Sequence, residues 1–196
     1  MSFINGIKSV FGIKPKKTEP LYKIEQIVFS ETVTKIASVI SDNDKNVLEK
    51  ADLVLKDPDK YILERYIDNP PIDFEFAFKN DVQDKQWWLI HDVLTDNDYI
   101  HYLDWKDDAG IFLTEFDALK GRDKISAVVA EKDLDGKDEL TEIFTYVNSM
   151  IEQDNYVLCV YDIDADGYPI FLTKKENLPL LTESAEKVGH RIGRAG

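Results

Sequence analysis

Residues 72–79, IDFEFAFK, alternate without a break: Ile72, Phe74, Phe76 and Phe78 share one face, and Asp73, Glu75 and Lys79 the other. A period of two predicts a strand with one buried side. Before it the spacing is three and four. Ile24, Ile27 and Val28, then Val33, Ile36 and Ile40, then Val47, Ala51 and Val54 predict two or three packed helices between Leu21 and Asp68, with Asp57-Pro58 opening a further turn. Asn69-Pro70-Pro71 stops helix, because proline lacks a donor and drives the preceding residue toward extended geometry. After the strand, Trp87, Ile90, His91 and Leu94 predict a helix leading into an extended aromatic stretch, YIHYLDW. Ile111, Phe112, Phe116 and Leu119 predict a second helix, which Gly121 terminates. ISAVV, from Ile125, reads as a short strand before a charged loop, and Leu140, Ile143, Phe144, Val147 and Ile151 line one face of a third helix.

The stretch VYDIDADGYPIF, residues 160–171, opens like a calcium-binding loop, with Asp162, Asp164 and Asp166 before Gly167. Such a loop closes with a bidentate glutamate at its twelfth position, where this chain has Thr173. The flanks are β-branched and aromatic rather than helical, so the pattern predicts a β-hairpin with Asp166-Gly167 at the centre of a type I′ turn. That turn would pair Ala165 with Tyr168, Ile163 with Ile170 and Tyr161 with Leu172. Cys159, Tyr161, Ile163, Tyr168, Ile170 and Leu172 would then form a core face, with Asp162 and Asp164 together on the other.

The elements predict an α+β fold in which helices pack on a small mixed or antiparallel sheet with a C-terminal β-hairpin. The 43% hydrophobic content of the 196 residues suits one such domain over 21–196, helical to residue 70 and sheet-containing after it. Residues 1–20 stand apart as a basic amphipathic tail. Residues 1–17 hold Lys8, Lys14, Lys16 and Lys17 and no acid, with Phe3, Ile7, Val10 and Phe11 at helical spacing, which would allow weak contact with a membrane surface. The remainder carries 20 basic and 38 acidic residues, a charge of −18 within a net −14. Such a field repels phosphates and favours a basic protein partner over nucleic acid. A lone cysteine, no secretory leader pattern and no long apolar run point to a cytoplasmic setting.

Leu103-Asp104-Trp105-Lys106-Asp107 leading into a helix, then a later helix, the hairpin and LPLLTESAEKVGHRI, together resemble an uncharacterised bacterial domain family of unknown function over about residues 85–192. The resemblance implies an α+β domain and carries no activity, cofactor or catalytic residue.

Candidate chemistry is sparse. His91, His101 and His190 stand apart with no paired-ligand motif, no phosphate-binding glycine loop or nucleophile elbow occurs, and Cys159 reads as buried core, so no cofactor and no metal is expected. Asp104, Trp105, Lys106 and Asp107, with Asp162 and Asp164, are the candidate partner-binding residues, an acidic surface with an aromatic anchor suited to a basic protein of the immunity or inhibitor kind. The competing reading is a carboxylate-based hydrolase, with or without a metal ion, built around His101, Asp104, Asp162 and Asp164. In the plainer alternative Asp107 or Asp108 caps the next helix, Lys106 pairs with an acid and Trp105 fills core.

Overall fold

Aspartates cap three of the helices among the described residues. The computed structural model describes residues 19–66, 82–137 and 139–196, with side chains from residue 23 onward. The basic tail up to residue 18 and the alternating stretch 72–79 lie outside the described residues. Helix α1 spans Glu19–Ile40, α2 Lys45–Lys56 and α3 Pro58–Arg65. The Asp44 carboxylate accepts from the Asn46 amide at 2.9 Å to cap α2, and Asp57 accepts from the Lys60 amide at 3.0 Å to cap α3, with Pro58 in the first turn. Both satisfy amides that a helix start leaves without partners. Then come α4 (Val82–Thr95), β1 (His101–Asp104), α5 (Ala109–Ala118), α6 (Leu140–Ile151), β2 (Tyr156–Tyr161), β3 (Gly167–Lys174), α7 (Leu178–Lys187) and β4 (Ile192–Arg194).

The described strands form one antiparallel sheet in the order β1-β3-β2-β4. The fold is therefore α+β, as the sequence predicts, and the sheet is antiparallel rather than mixed. Both faces of the sheet are covered. Val157, Cys159, Tyr161, Phe171 and Ile192 join α1, α2, α4 and α7 in one apolar core. Leu103, Leu158, Ile170 and Leu172 join α5 and α6 in a second. Two-sided burial explains why YVLCVY and YPIFLT are nearly continuous apolar runs.

The hairpin exists, and its register differs from the expected one. Leu158 opposes Leu172, Cys159 opposes Phe171 and Val160 opposes Ile170, so β2 is displaced by three residues from the pairing that an Asp166-Gly167 turn would impose. An odd displacement reverses which side chains share a face. Cys159 and Tyr161 accordingly lie in the first core while Tyr168, Ile170 and Leu172 belong to the second. The type I′ turn is replaced by a longer loop in which Asp164, at φ 54°, takes the left-handed conformation. Tertiary bonds hold the loop open: the Trp87 indole donates to the Asp162 carbonyl at 2.8 Å, and the Asp162 amide donates to the Arg191 carbonyl at 3.0 Å. The β2–β3 ladder ends at Ile170, just before Pro169 is reached, and β3 pairs with β1 from Gly167 to Ile170.

ISAVV is also corrected. Ile125, Ala127 and Val129 are buried and Ser126 and Val128 exposed, the alternation of a strand, yet among the described residues the segment joins no sheet. Side chains take the place of a neighbouring strand: Asp154 accepts from the Ser126 and Ala127 amides, and Arg122 donates to the Ile125 and Ala127 carbonyls.

His91 is buried on α4, and burial holds its pKa at about 4. An unfolded chain takes up that proton near pH 6.5. Stability is therefore complete above pH 6.5 and falls as pH drops toward 4, by about 3 kcal/mol in all. His91→Leu should flatten that part of the profile. Urea unfolding of both proteins at pH 7 and pH 4.5 checks it; parallel losses in the two would contradict the assignment.

Candidate functional site

Where β1 turns into α5, carboxylates staple the backbone. The Asp107 amide donates to the Asp104 carbonyl at 3.0 Å, the Lys106 amide to the Asp104 carboxylate at 3.0 Å and the Asp104 amide to the Asp107 carboxylate at 2.8 Å. Asp108 then caps α5 by accepting from the Ile111 amide at 2.9 Å. Such self-bonding turns are what short acidic side chains favour. The turn raises Trp105 to the surface at 54% exposure, so this ring does not fill core. Lys106 lies with its ammonium 4.8 Å from the Trp105 ring centre, a cation–π contact in place of the expected ion pair.

Strand pairing completes the patch. Asp104 opposes Gly167, which brings Asp166 to the Tyr102 side chain. Burial of the ring edge, then the Asp104, Asp166 and Asp107 carboxylates, push the Tyr102 phenol above its ordinary pKa. Tyr102, Trp105 and Ile111 are all large and exposed, as are Asp104, Asp108 and Asp166, with Asp107 half-buried. Asp104 and Asp107 each keep one carboxylate oxygen without a hydrogen-bond partner among the described residues.

Of the six residues singled out in the sequence, four meet here. Asp162 does not: its carboxylate pairs with Arg191 at 2.7 Å and accepts from the Asp164 amide at 2.9 Å, so it braces the hairpin loop. Asp164 is exposed on that loop rather than beside Asp162 on a strand face. Asp166, expected at the turn centre, lies close enough to Tyr102 to act on its phenol instead. Finding it in the sequence required the correct hairpin register.

The carboxylate–histidine constellation is not assembled. His101 and Asp104, three residues apart on β1, point to opposite faces. His101 Nδ1 instead meets Glu115 at 2.6 Å, and its buried Nε2, 4.0 Å from Asp98, has no hydrogen-bond partner among the described residues. A second polar cluster went unrecognised in the sequence: Tyr61 and Tyr66 each donate at 3.0 Å to Asp92, and Arg65 bonds Asp96 at 2.5 Å. Burial, then the Asp92 carboxylate, push both phenols up. Both oxygens of Asp92 are occupied, so the cluster locks α3 onto α4. Its helical spacing was legible, but the α3–α4 contact was not. Cys159 is fully buried and burial pushes its thiol up to about 12, which makes it core rather than nucleophile. Among the described residues no three His, Cys, Asp or Glu side chains converge as metal ligands, and no helix is long and apolar enough to cross a membrane.

No curated protein and no solved structure matches the chain. A family match does cover residues 32–196, taking in the C-terminal part of α1 and every later described element, well beyond the region of the sequence resemblance. The chain belongs to the family DUF6630, a domain of unknown function.

Proposed function

We propose that the protein is a non-enzymatic interaction module whose Tyr102–Trp105–Ile111 patch, ringed by Asp104, Asp107, Asp108 and Asp166, binds a basic protein partner in the manner of an immunity or inhibitor protein. The exposure of Trp105 on a hydrogen-bonded, pre-shaped turn carries the reading. Tryptophan is among the side chains that most often dominate binding energy, and a rigid turn lowers the entropy lost on docking. The surrounding carboxylates would speed encounter with a cationic surface and set its salt dependence. Lys106, lying on the ring, orients Trp105 and softens the local negative field.

Two variants separate anchor from steering. Trp105→Ala should weaken the complex at least about tenfold, chiefly through faster dissociation. Asp104→Asn with Asp166→Asn should slow association and reduce its salt dependence. Capture from lysate by the wild-type chain and by each variant, followed by binding kinetics on the recovered partner, provides the measurement. Retention of the same proteins at the same affinity by Trp105→Ala would contradict the proposal.

A further inference from the structure

At the other end of β3, roughly 20 Å along the strand from Gly167, the chain forms a second feature unrelated to the acidic patch. A cleft of about 240 Å³ opens where the C-terminal ends of α1 and α5 meet the start of β2 and the end of β3. Its backbone is unusual. Asp42 at φ 51° and Asn43 at φ 63° line it, while Asp98 at φ 61° and Asn155 at φ 61° immediately precede the lining residues Tyr99 and Tyr156. Among the described residues, four of the five non-glycine positions with left-handed backbone thus line this cleft or adjoin its lining. Such conformations are held only by their surroundings and gather at binding sites.

The lining is rich in donors. Among the lining residues Lys120, Lys124 and Lys174 outnumber Asp42 and Glu176, with Asp44 outside the lining beside Lys120, in a chain of net charge −14. Lys174 has no ion-pair partner among the described residues. Lys124 lies 3.6 Å from the highly exposed Asp42, and Lys120 lies 3.5 Å from Asp44 and 4.5 Å from the Tyr99 ring centre. These are long, solvent-screened pairs that an incoming anion can replace. The Asn43 side-chain oxygen accepts from the Ser38 hydroxyl at 2.7 Å, which leaves its amide hydrogens to face a ligand. Buried Leu172 and Ile40 supply an apolar floor, and Tyr99 and Tyr156 aromatic walls.

We propose that this cleft is a binding site for a small organic anion, a carboxylate- or phosphate-bearing metabolite. Lys120, Lys124 and Lys174 receive its charge, and the tyrosines receive its body. The volume falls below the roughly 300–1,000 Å³ of pockets that hold drug-sized molecules, so the site suits a compact metabolite rather than a peptide or dinucleotide. The proposal is independent of the partner-binding reading, because no residue is shared between the two.

The full chain would be titrated calorimetrically with inorganic phosphate, a nucleoside monophosphate, citrate and, as a cationic control, spermidine. At least one anion is expected to bind with a Kd below about 1 mM, weaken as salt rises and lose about tenfold or more in the Lys124→Ala, Lys174→Ala double variant. Phosphate-bearing and purely carboxylate probes distinguish the two sources of charge. Trp105→Ala should leave this binding unchanged. Both lysines are exposed, so the double variant should melt with the wild type. No anion binding at millimolar concentration overturns the proposal, as does anion binding that the double variant retains in full or a preference for spermidine.

Discussion

Asn148→Ala should destabilise the protein by about 4 kcal/mol, one of the largest costs of any polar-to-alanine change in the chain. Asn148 is buried on α6 and its side chain completes three bonds: it accepts from the Leu158 amide at 2.8 Å and donates to the Leu158 carbonyl at 3.1 Å and the Ala195 carbonyl at 2.7 Å. It thereby ties α6 to β2 and to the residues just after β4. Alanine would leave the Leu158 amide buried without a partner and remove one bond from each of two carbonyls. Each stranded buried group costs about 1–3 kcal/mol, whereas loss of a solvated hydrogen bond costs far less. Urea unfolding should show a lower midpoint with an unchanged slope. A loss below about 1 kcal/mol would mean that water or relaxation replaces the amide, and would remove the proposed tie.

Gly167→Ala is expected to cost about 3 kcal/mol and to disturb the acidic patch at the same time. The reason is close approach, since Gly167 is not among the residues with left-handed backbone. A Cβ there would overlap the Tyr102 ring and hydroxyl and sit 2.5 Å from the Leu103 carbonyl oxygen on the paired strand. Tyr102 lies over this bare position of β3, as aromatic rings do over glycine on neighbouring strands. Adding Tyr102→Ala should recover part of the loss, because the ring clash disappears, but not all, because the Leu103 carbonyl stays. Chemical denaturation of the two single variants and the double variant measures that coupling. Full tolerance of Gly167→Ala would show that β1 and β3 are not pressed together here, and the arrangement of Tyr102 beside Asp166 would go with it.

Local chemistry was legible wherever one stretch of chain settles its own structure. Asp57-Pro58 starts α3, Asp108 caps α5, and the apolar spacing of α4 and α6 matches the residues they bury, because caps and helical periodicity depend on neighbours within a turn. Candidate residues Asp104 to Asp107 were found together for the same reason: they are consecutive. β4 was not foreseen, since three residues carry too little pattern to signal a strand.

The sequence by itself determined the α+β class, the starts of α3 and α5, the existence of the hairpin, the missing calcium ligand and the acidic excess, all properties of short-range spacing or composition. Tertiary structure alone decided the register of that hairpin. Trp87 on α4 and Arg191 beyond α7 hold Asp162, and an odd displacement of β2 sends alternate side chains into opposite cores. It also decided that Asp166 rather than Asp162 stands beside Tyr102. Strand pairing joins residues more than sixty positions apart, and no local pattern encodes which of two carboxylates on one loop will face a distant strand.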